Sequence, residues 1–133
     1  KRLSSQILEI SKSNVDALIG KAQTVNGTKV IAAALEDLDM DLLRRNVDLI
    51  KEKTSNAVIA LGSQYEGRAL LVMGLTEDLC QKGLDASKLI REVAGFIGGS
   101  GGGRKDFAQA GGSKPENLGK VFQELKNIIG NLK

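Results

Sequence analysis

The stretch AVIALGSQYEGRALLVMGL, residues 57–75, decides the fold because it holds two apolar runs separated by a polar segment. Ala57–Leu61 and Ala69–Val72, the second extending towards Leu75, have the length and composition of buried β-strands. Gln64–Gly67 supplies the turn between them. Such strands need helices on at least one face of their sheet, so we expect the flanking segments to provide them.

The segment before these strands predicts a β-hairpin and then an amphipathic helix. Lys21–Val25 and Thr28–Ala34 flank Asn26–Gly27, the residue pair favoured in a type I′ turn. A helix over about residues 40–53 follows. It would place four apolar side chains on one face: Met40, Leu43, Val47 and Ile50.

The segment after the strands predicts three further helices. Thr76 can cap a short one, with Glu77 and Asp78 in its first turn. A second spans about residues 86–97, and a third begins at Pro115, a residue favoured at the first helical position. We therefore expect an α/β (α+β) fold, a mixed sheet with an early antiparallel hairpin, flanked by helices.

Residues 3–19 predict another helix, ended by Gly20. Its apolar residues Leu3, Ile7 and Ile10 are spaced four and three apart, as in a coiled-coil seam. Two interpretations stay open, a helix that faces the core and a helix that pairs with another chain or with a further domain.

The composition is that of a globular protein with a mild basic excess. The chain has 133 residues, of which 41% are hydrophobic, and a formal net charge of +3. Residues 82–133 hold nine Lys and Arg against five Asp and Glu. The single cysteine, Cys80, indicates a reducing compartment, so we expect cytoplasmic localisation. We find no signal peptide and no apolar run long enough for a membrane helix, and expect no membrane partner.

The segment between the last two helices reads GGSGGGRKDFAQAGG, residues 98–112. Glycine lets a ligand approach the backbone closely, and consecutive amides can point at an anion. Arg104 and Lys105 add positive charge, and Gln109 can donate to a ribose, phosphate or base edge. Asp106 can pair with one of the two cations or cap a following turn. We favour an ordered anion-binding loop over a flexible linker, because Phe107 and the two alanines can anchor it to the core.

Residues 101–112, GGGRKDFAQAGG, resemble the signature of the C-terminal domain of alanyl-tRNA synthetases. Four other stretches are similar to that family and extend the resemblance over roughly residues 25–130: DMDLLR at 39–44, AVIAL at 57–61, TEDL at 76–79 and GLDASKLI at 83–90. Lys105 departs from the proline that is common in the family, and Phe107 departs from methionine. The related module of DHH-type phosphoesterases usually has histidine where Arg104 stands, which favours the synthetase branch.

The resemblance implies the end of a helical stem over residues 1–20, able to mediate dimerisation, and a globular tRNA-binding domain over residues 21–133. It implies that this domain contacts the tRNA elbow and helps one tRNA serve both aminoacylation and editing. The implied partners are the tRNA for alanine, the remainder of the parent synthetase and a second copy of the chain.

The candidate RNA contacts lie in and around the glycine-rich segment, since structured RNA is recognised largely through phosphates, 2′-hydroxyls and shape. They are Gly101, Gly102, Gly103, Arg104, Lys105, Gln109 and Lys114, with Lys82 and Lys88 as extensions of the patch. Two alternatives stay open. One is an oligomerisation module, and the other is the nucleic-acid-binding lobe of a DHH-type phosphoesterase.

The residue inventory argues against catalysis by this chain. It contains no His and one Cys, which excludes a zinc site of the His and Cys type and a nucleophile–His–acid triad. The acidic cluster near residues 36–41 is interpreted as favourable charge at a helix start, not as a metal site. We therefore expect a binding domain without cofactor or metal.

Overall fold

The two apolar runs form the centre of a β-sheet in the computed structural model, which describes residues 19–20 and 22–131. Strand β3 is Ala57–Tyr65 and strand β4 is Arg68–Leu75, and they pair antiparallel. Glu66 and Gly67 join them with φ of 52° and 76°, the two positive values of a type I′ turn. Both strands are longer than the apolar runs, because the pairing continues to Tyr65↔Arg68.

Four other strands and four α-helices are described, besides the helical residues 19–20. The strands are β1 (Gln23–Val25), β2 (Thr28–Glu36), β5 (Ser100–Gly103) and β6 (Phe107–Gly112). The helices are α1 (Met40–Lys53), α2 (Glu77–Gln81), α3 (Ala86–Val93) and α4 (Leu118–Gly130). Short 3₁₀ turns, Ala94–Ile97 and Pro115–Asn117, follow α3 and precede α4.

The sheet is mixed, with strand order β1-β2-β3-β4-β6-β5. Strands β2 and β3 are parallel, with α1 as the crossover between them, and every other neighbouring pair is antiparallel. The early hairpin turns at Asn26 and Gly27, whose φ values are 54° and 79°. The predicted α/β fold with its antiparallel hairpin is therefore confirmed.

Helices cover both faces of the sheet. On one face, α1 packs Leu43, Val47 and Ile50 against Ile59 of β3, all with no exposed area. On the other face, α3 and α4 pack against the opposite residues of β3, β4 and β6. The Asp39 carboxylate caps α1 by accepting from the Leu42 N–H at 2.9 Å. The sheet therefore lies between two layers of helices, with α1 on one side and α3 and α4 on the other.

The glycine-rich segment differs from the prediction, because most of it is a hairpin of two strands and not a loop. Two predicted helices also differ at their ends, where the α-helix of about 86–97 stops at Val93 and the one from Pro115 starts at Leu118. The predicted helix of residues 3–19 lies almost wholly outside the described residues. In the described part of the chain, no helix has the length and hydropathy to cross a membrane.

Candidate nucleic-acid interface

Strand β5 lies at the edge of the sheet and pairs with β6 through its backbone alone. Gly102 pairs with Gln109 and Gly103 with Ala108. A Cβ on Gly103 would lie 2.4 Å from the carbonyl oxygen of Phe107, so the strands meet too closely there for any side chain. Packing thus requires glycine at position 103 of this hairpin.

Strand β6 anchors the hairpin to the core, as the sequence predicted for Phe107 and the two alanines. Ala108 and Ala110 are buried on the face covered by α3 and α4. Phe107 is half-buried against the α1 face. Gln109 shares that face by strand alternation and is exposed.

The tip of the hairpin, residues 104–106, is held by the start of α3. The Ser87 N–H donates to the carbonyl oxygen of Arg104 at 3.1 Å, and the Ala86 N–H donates to that of Lys105 at 2.7 Å. The side chains of both basic residues are exposed. Asp85 caps α3, and hydrogen bonds from Ser87 hold the pKa of its carboxyl below the usual value.

Asp106 holds the tip from the other side. Its carbonyl oxygen accepts from the Leu75 N–H at 3.0 Å and from Lys51 Nζ at 3.3 Å. Its carboxylate lies 3.6 Å from the same Lys51 Nζ. The sequence had suggested instead that Asp106 pairs with Arg104 or Lys105, or that it caps a following turn. With three carbonyls bonded, the backbone of the tip is fixed while its cations face solvent.

An open groove of about 500 Å³ lies between α1 and the β5–β6 hairpin. Three cations (Arg44, Lys51 and Arg104) and two carboxylates (Asp48 and Asp106) line it. Gly102, Gly103, Phe107, Ala108 and Gln109 supply the rest of the lining. The Arg44 guanidinium carbon lies 5.3 Å from the centroid of the Phe107 ring, within cation–π range.

A wider groove of about 1020 Å³ adjoins the first, sharing Asp48, Lys51 and Asp106 with it. Glu52, Glu77 and Asp78 make its lining mainly acidic, which disfavours an anion. The Thr76 hydroxyl lowers the pKa of Asp78, and burial raises the pKa of the Cys80 thiol. Cys80 is half-buried, and its S–H contacts the Lys105 carbonyl oxygen at 3.6 Å.

The structure brings four of the predicted contacts together in the first groove: Gly102, Gly103, Arg104 and Gln109. Lys105 is among the residues that line the wider groove, and Gly101 packs against Ala110. Lys114 lies two residues beyond the far end of β6, a strand roughly 17 Å long, and its N–H donates to the Ile97 carbonyl oxygen at 2.8 Å.

Two further predicted contacts lie on the helices beside the tip. Lys88 is exposed in the first turn of α3, beside the amides that hold the tip, and exposed Lys82 ends α2.

Sequence reasoning missed the α1 side of the groove. Arg44, Asp48 and Lys51 are spaced four and three apart, so they share one helix face next to the apolar stripe. That spacing was readable, but only the position of the hairpin shows that this charged face lines a groove. No cluster of three or more His, Cys, Asp or Glu suited to a metal occurs within residues 19–20 and 22–131.

Comparison with known proteins gives a consistent result. Residues 27–131 match the family model described as the DHHA1 domain. The alanine–tRNA ligase of Halalkalibacterium halodurans is 42% identical over 141 aligned positions, covering 95% of this chain and 16% of that protein. The chain thus spans about a sixth of that relative.

Solved structures agree on the fold. The C-Ala domain from Aquifex aeolicus alanyl-tRNA synthetase has a TM-score of 0.79 and 28% identity, covering 84% of this chain and 99% of that one. A DHH-domain structure from the s1p family of ribosomal proteins has a TM-score of 0.58 at 16% identity, over 98% of this chain and 33% of that one. The second likeness concerns the fold alone.

Proposed function

The chain belongs to the DHHA1 domain family, and from that premise we propose that it is the tRNA-binding accessory domain of an alanyl-tRNA synthetase. In this proposal the domain contacts the tRNA elbow and helps one tRNA for alanine serve aminoacylation and editing. It binds and does not itself catalyse. Its likeness to the C-Ala domain supports an accessory role in such a synthetase.

The hairpin tip is the observation that carries this proposal. Its three carbonyls are hydrogen-bonded, so Arg104 and Lys105 are presented to solvent from a fixed backbone. Structured RNA is recognised mainly through phosphates, 2′-hydroxyls and shape, which suits exposed cations on a rigid edge. Preorganised cations bind phosphates with less loss of conformational entropy.

The remainder of the synthetase is the natural partner, because the chain corresponds to 16% of the length of its relative. A second copy of the chain, paired through residues 1–20, is a further proposed partner. Lys82, Lys88 and Lys114 would extend the RNA contact beyond the tip.

Titration against folded tRNA for alanine at several salt concentrations tests the proposal. We expect the affinity to fall as salt rises, because phosphate contacts release counterions. Arg104→Glu should weaken binding by on the order of tenfold. Arg68→Glu is the matched control, an exposed arginine at the opposite end of β4 from the tip. It should bind nearly as the wild type does.

Two results would count against this function. If the wild-type chain shows no salt-sensitive binding even at low ionic strength, the oligomerisation role replaces tRNA binding. Sedimentation across a concentration series would then test that role. Tighter binding of a two- to five-nucleotide strand than of folded tRNA would instead indicate a phosphoesterase-type lobe.

A further inference from the structure

We propose that the groove between α1 and the β5–β6 hairpin binds one unstacked nucleobase of an RNA, stacked on the guanidinium of Arg44. This inference rests on the proposed function and adds to it a site for a base, next to the phosphate contacts proposed at the tip. Arg44 is its central residue, and Gln109 reads the edge of the base.

The position of Arg44 is the first argument. Its guanidinium carbon lies over the Phe107 ring, 5.3 Å from the ring centroid, and Arg44 also lines the groove. Within residues 19–20 and 22–131, no carboxylate forms an ion pair with Arg44. An exposed guanidinium that no carboxylate holds is available as a stacking surface for a base.

The floor of the groove is the second argument. Gly102 has no atom within 4 Å of the place where a Cβ would be, so the floor is flat and open there. Its partner Gln109 has an exposed amide, which can both donate to and accept from a base edge. Gln109 and Phe107 lie two residues apart on one face of β6, about 7 Å along the strand. A planar ring on the Arg44 surface would therefore have the Gln109 amide beside it.

The charge of the groove favours a base over a phosphate. Three cations face two carboxylates, and Lys51 is already paired with Asp106. A nearly balanced groove attracts a polyanion weakly, whereas Asp48 can accept a hydrogen bond from the exocyclic amino group of adenine or cytosine. The groove volume of about 500 Å³ lies in the range of small-ligand sites.

RNA hairpins with one bulged nucleotide provide the test. Three matched hairpins are used, with a bulged adenosine, with an abasic bulge and with full pairing. We expect the bulged adenosine to bind the wild-type chain about tenfold more tightly than the abasic bulge. Arg44→Gln should abolish this difference, and Arg44→Lys should reduce it, because lysine keeps the charge without the plane.

Arg45→Gln is the matched control, since Arg45 is the exposed neighbour on α1 and does not line the groove. It should keep the base preference. A thermal unfolding curve for each variant confirms folding. As a second readout, AMP should shift the amide signals of Gln109 and Phe107 in an NMR titration, and ribose 5-phosphate should not.

The outcomes separate this inference from the proposed function. RNA binding that depends on Arg104 but is equal for the adenosine and abasic bulges overturns the base site alone. An equal loss of the adenosine preference in Arg44→Gln and Arg45→Gln also overturns it. So do equal shifts of the amide signals with AMP and with ribose 5-phosphate. No binding of any hairpin, of AMP or of folded tRNA overturns both proposals.

Discussion

Two antiparallel strand pairs of the same sheet are built on opposite principles. In β3–β4, side chains fill both faces, and Leu61, Leu71 and Val72 have no exposed area. In β5–β6, the outer strand is Ser-Gly-Gly-Gly and contributes no apolar side chain. The first pair is stabilised by apolar burial, and the second by close backbone packing and by hydrogen bonds to the tip.

The difference is consistent with a separation of stability from the proposed binding. Helices cover both faces of the central pair, which leaves little surface for a ligand. The edge pair presents bare backbone and exposed cations, and its shape is held by Ala86, Leu75 and Lys51 from outside the hairpin. Residues of the proposed RNA surface can therefore vary at the edge without changing the core.

Truncating a buried side chain of the central strand pair should have the largest effect on stability. Leu71→Ala removes a side chain with no exposed area, and we expect the free energy of unfolding to fall by about 2–5 kcal/mol. Urea denaturation measures it. Leu70→Ala is the control on the same strand, and its half-buried side chain should cost clearly less. Equal losses in the two variants would show that the degree of burial does not set the cost of truncating a side chain of β4.

Alanine substitutions at two glycines of the edge hairpin should have very different effects on the free energy of unfolding. An alanine Cβ at Gly112 would lie 2.1 Å from the Ile97 carbonyl oxygen, so Gly112→Ala should lower the free energy of unfolding by about 1–3 kcal/mol. At Gly102 the space is open, and Gly102→Ala should change the free energy of unfolding by less than about 0.5 kcal/mol. Paired urea denaturation curves measure both values.

Gly102→Ala has a second use, because its methyl group would stand on the floor of the groove. It should keep the fold and weaken the preference for a bulged adenosine. A Gly112→Ala variant as stable as the wild type would show that the close approach of β6 to the Ile97 carbonyl does not stabilise the edge of the sheet.

The same contrast explains which parts were predictable from sequence. Helix α1 has the predicted bounds, Met40–Lys53, because its apolar period and its Asp39 cap are local signals. The Asn26–Gly27 turn was equally local. Strand β5 was missed because glycine has a low strand propensity and its pairing depends on the close approach of β6, which is tertiary. The groove was missed for the same reason, since Arg44 and Phe107 are distant in sequence and meet only in the fold.

The smallest expected effect links the two regions through Asp85, which caps the helix that holds the tip. The Ser87 hydrogen bonds lower the folded-state pKa of Asp85 below 3.8, its ordinary value. Its contribution to stability is therefore present above the unfolded-state pKa and is lost as the pH falls through the folded-state pKa. Protonation should loosen the first turn of α3, and with it the bonds to the carbonyls of Arg104 and Lys105.

Amide hydrogen exchange, expressed as protection factors from about pH 6 to about pH 3, measures this effect residue by residue. The Arg104 N–H, which donates to the Phe107 carbonyl oxygen at 2.7 Å, should lose protection at the acid end, while the Val72 N–H in the centre should not. Asp85→Asn is the matched variant, because asparagine can cap the helix without titrating. It should remove the acid-dependent loss at Arg104. Equal loss at Arg104 and Val72 would mean that the edge and the centre open together, and the contrast between the two strand pairs would then hold for packing but not for local stability.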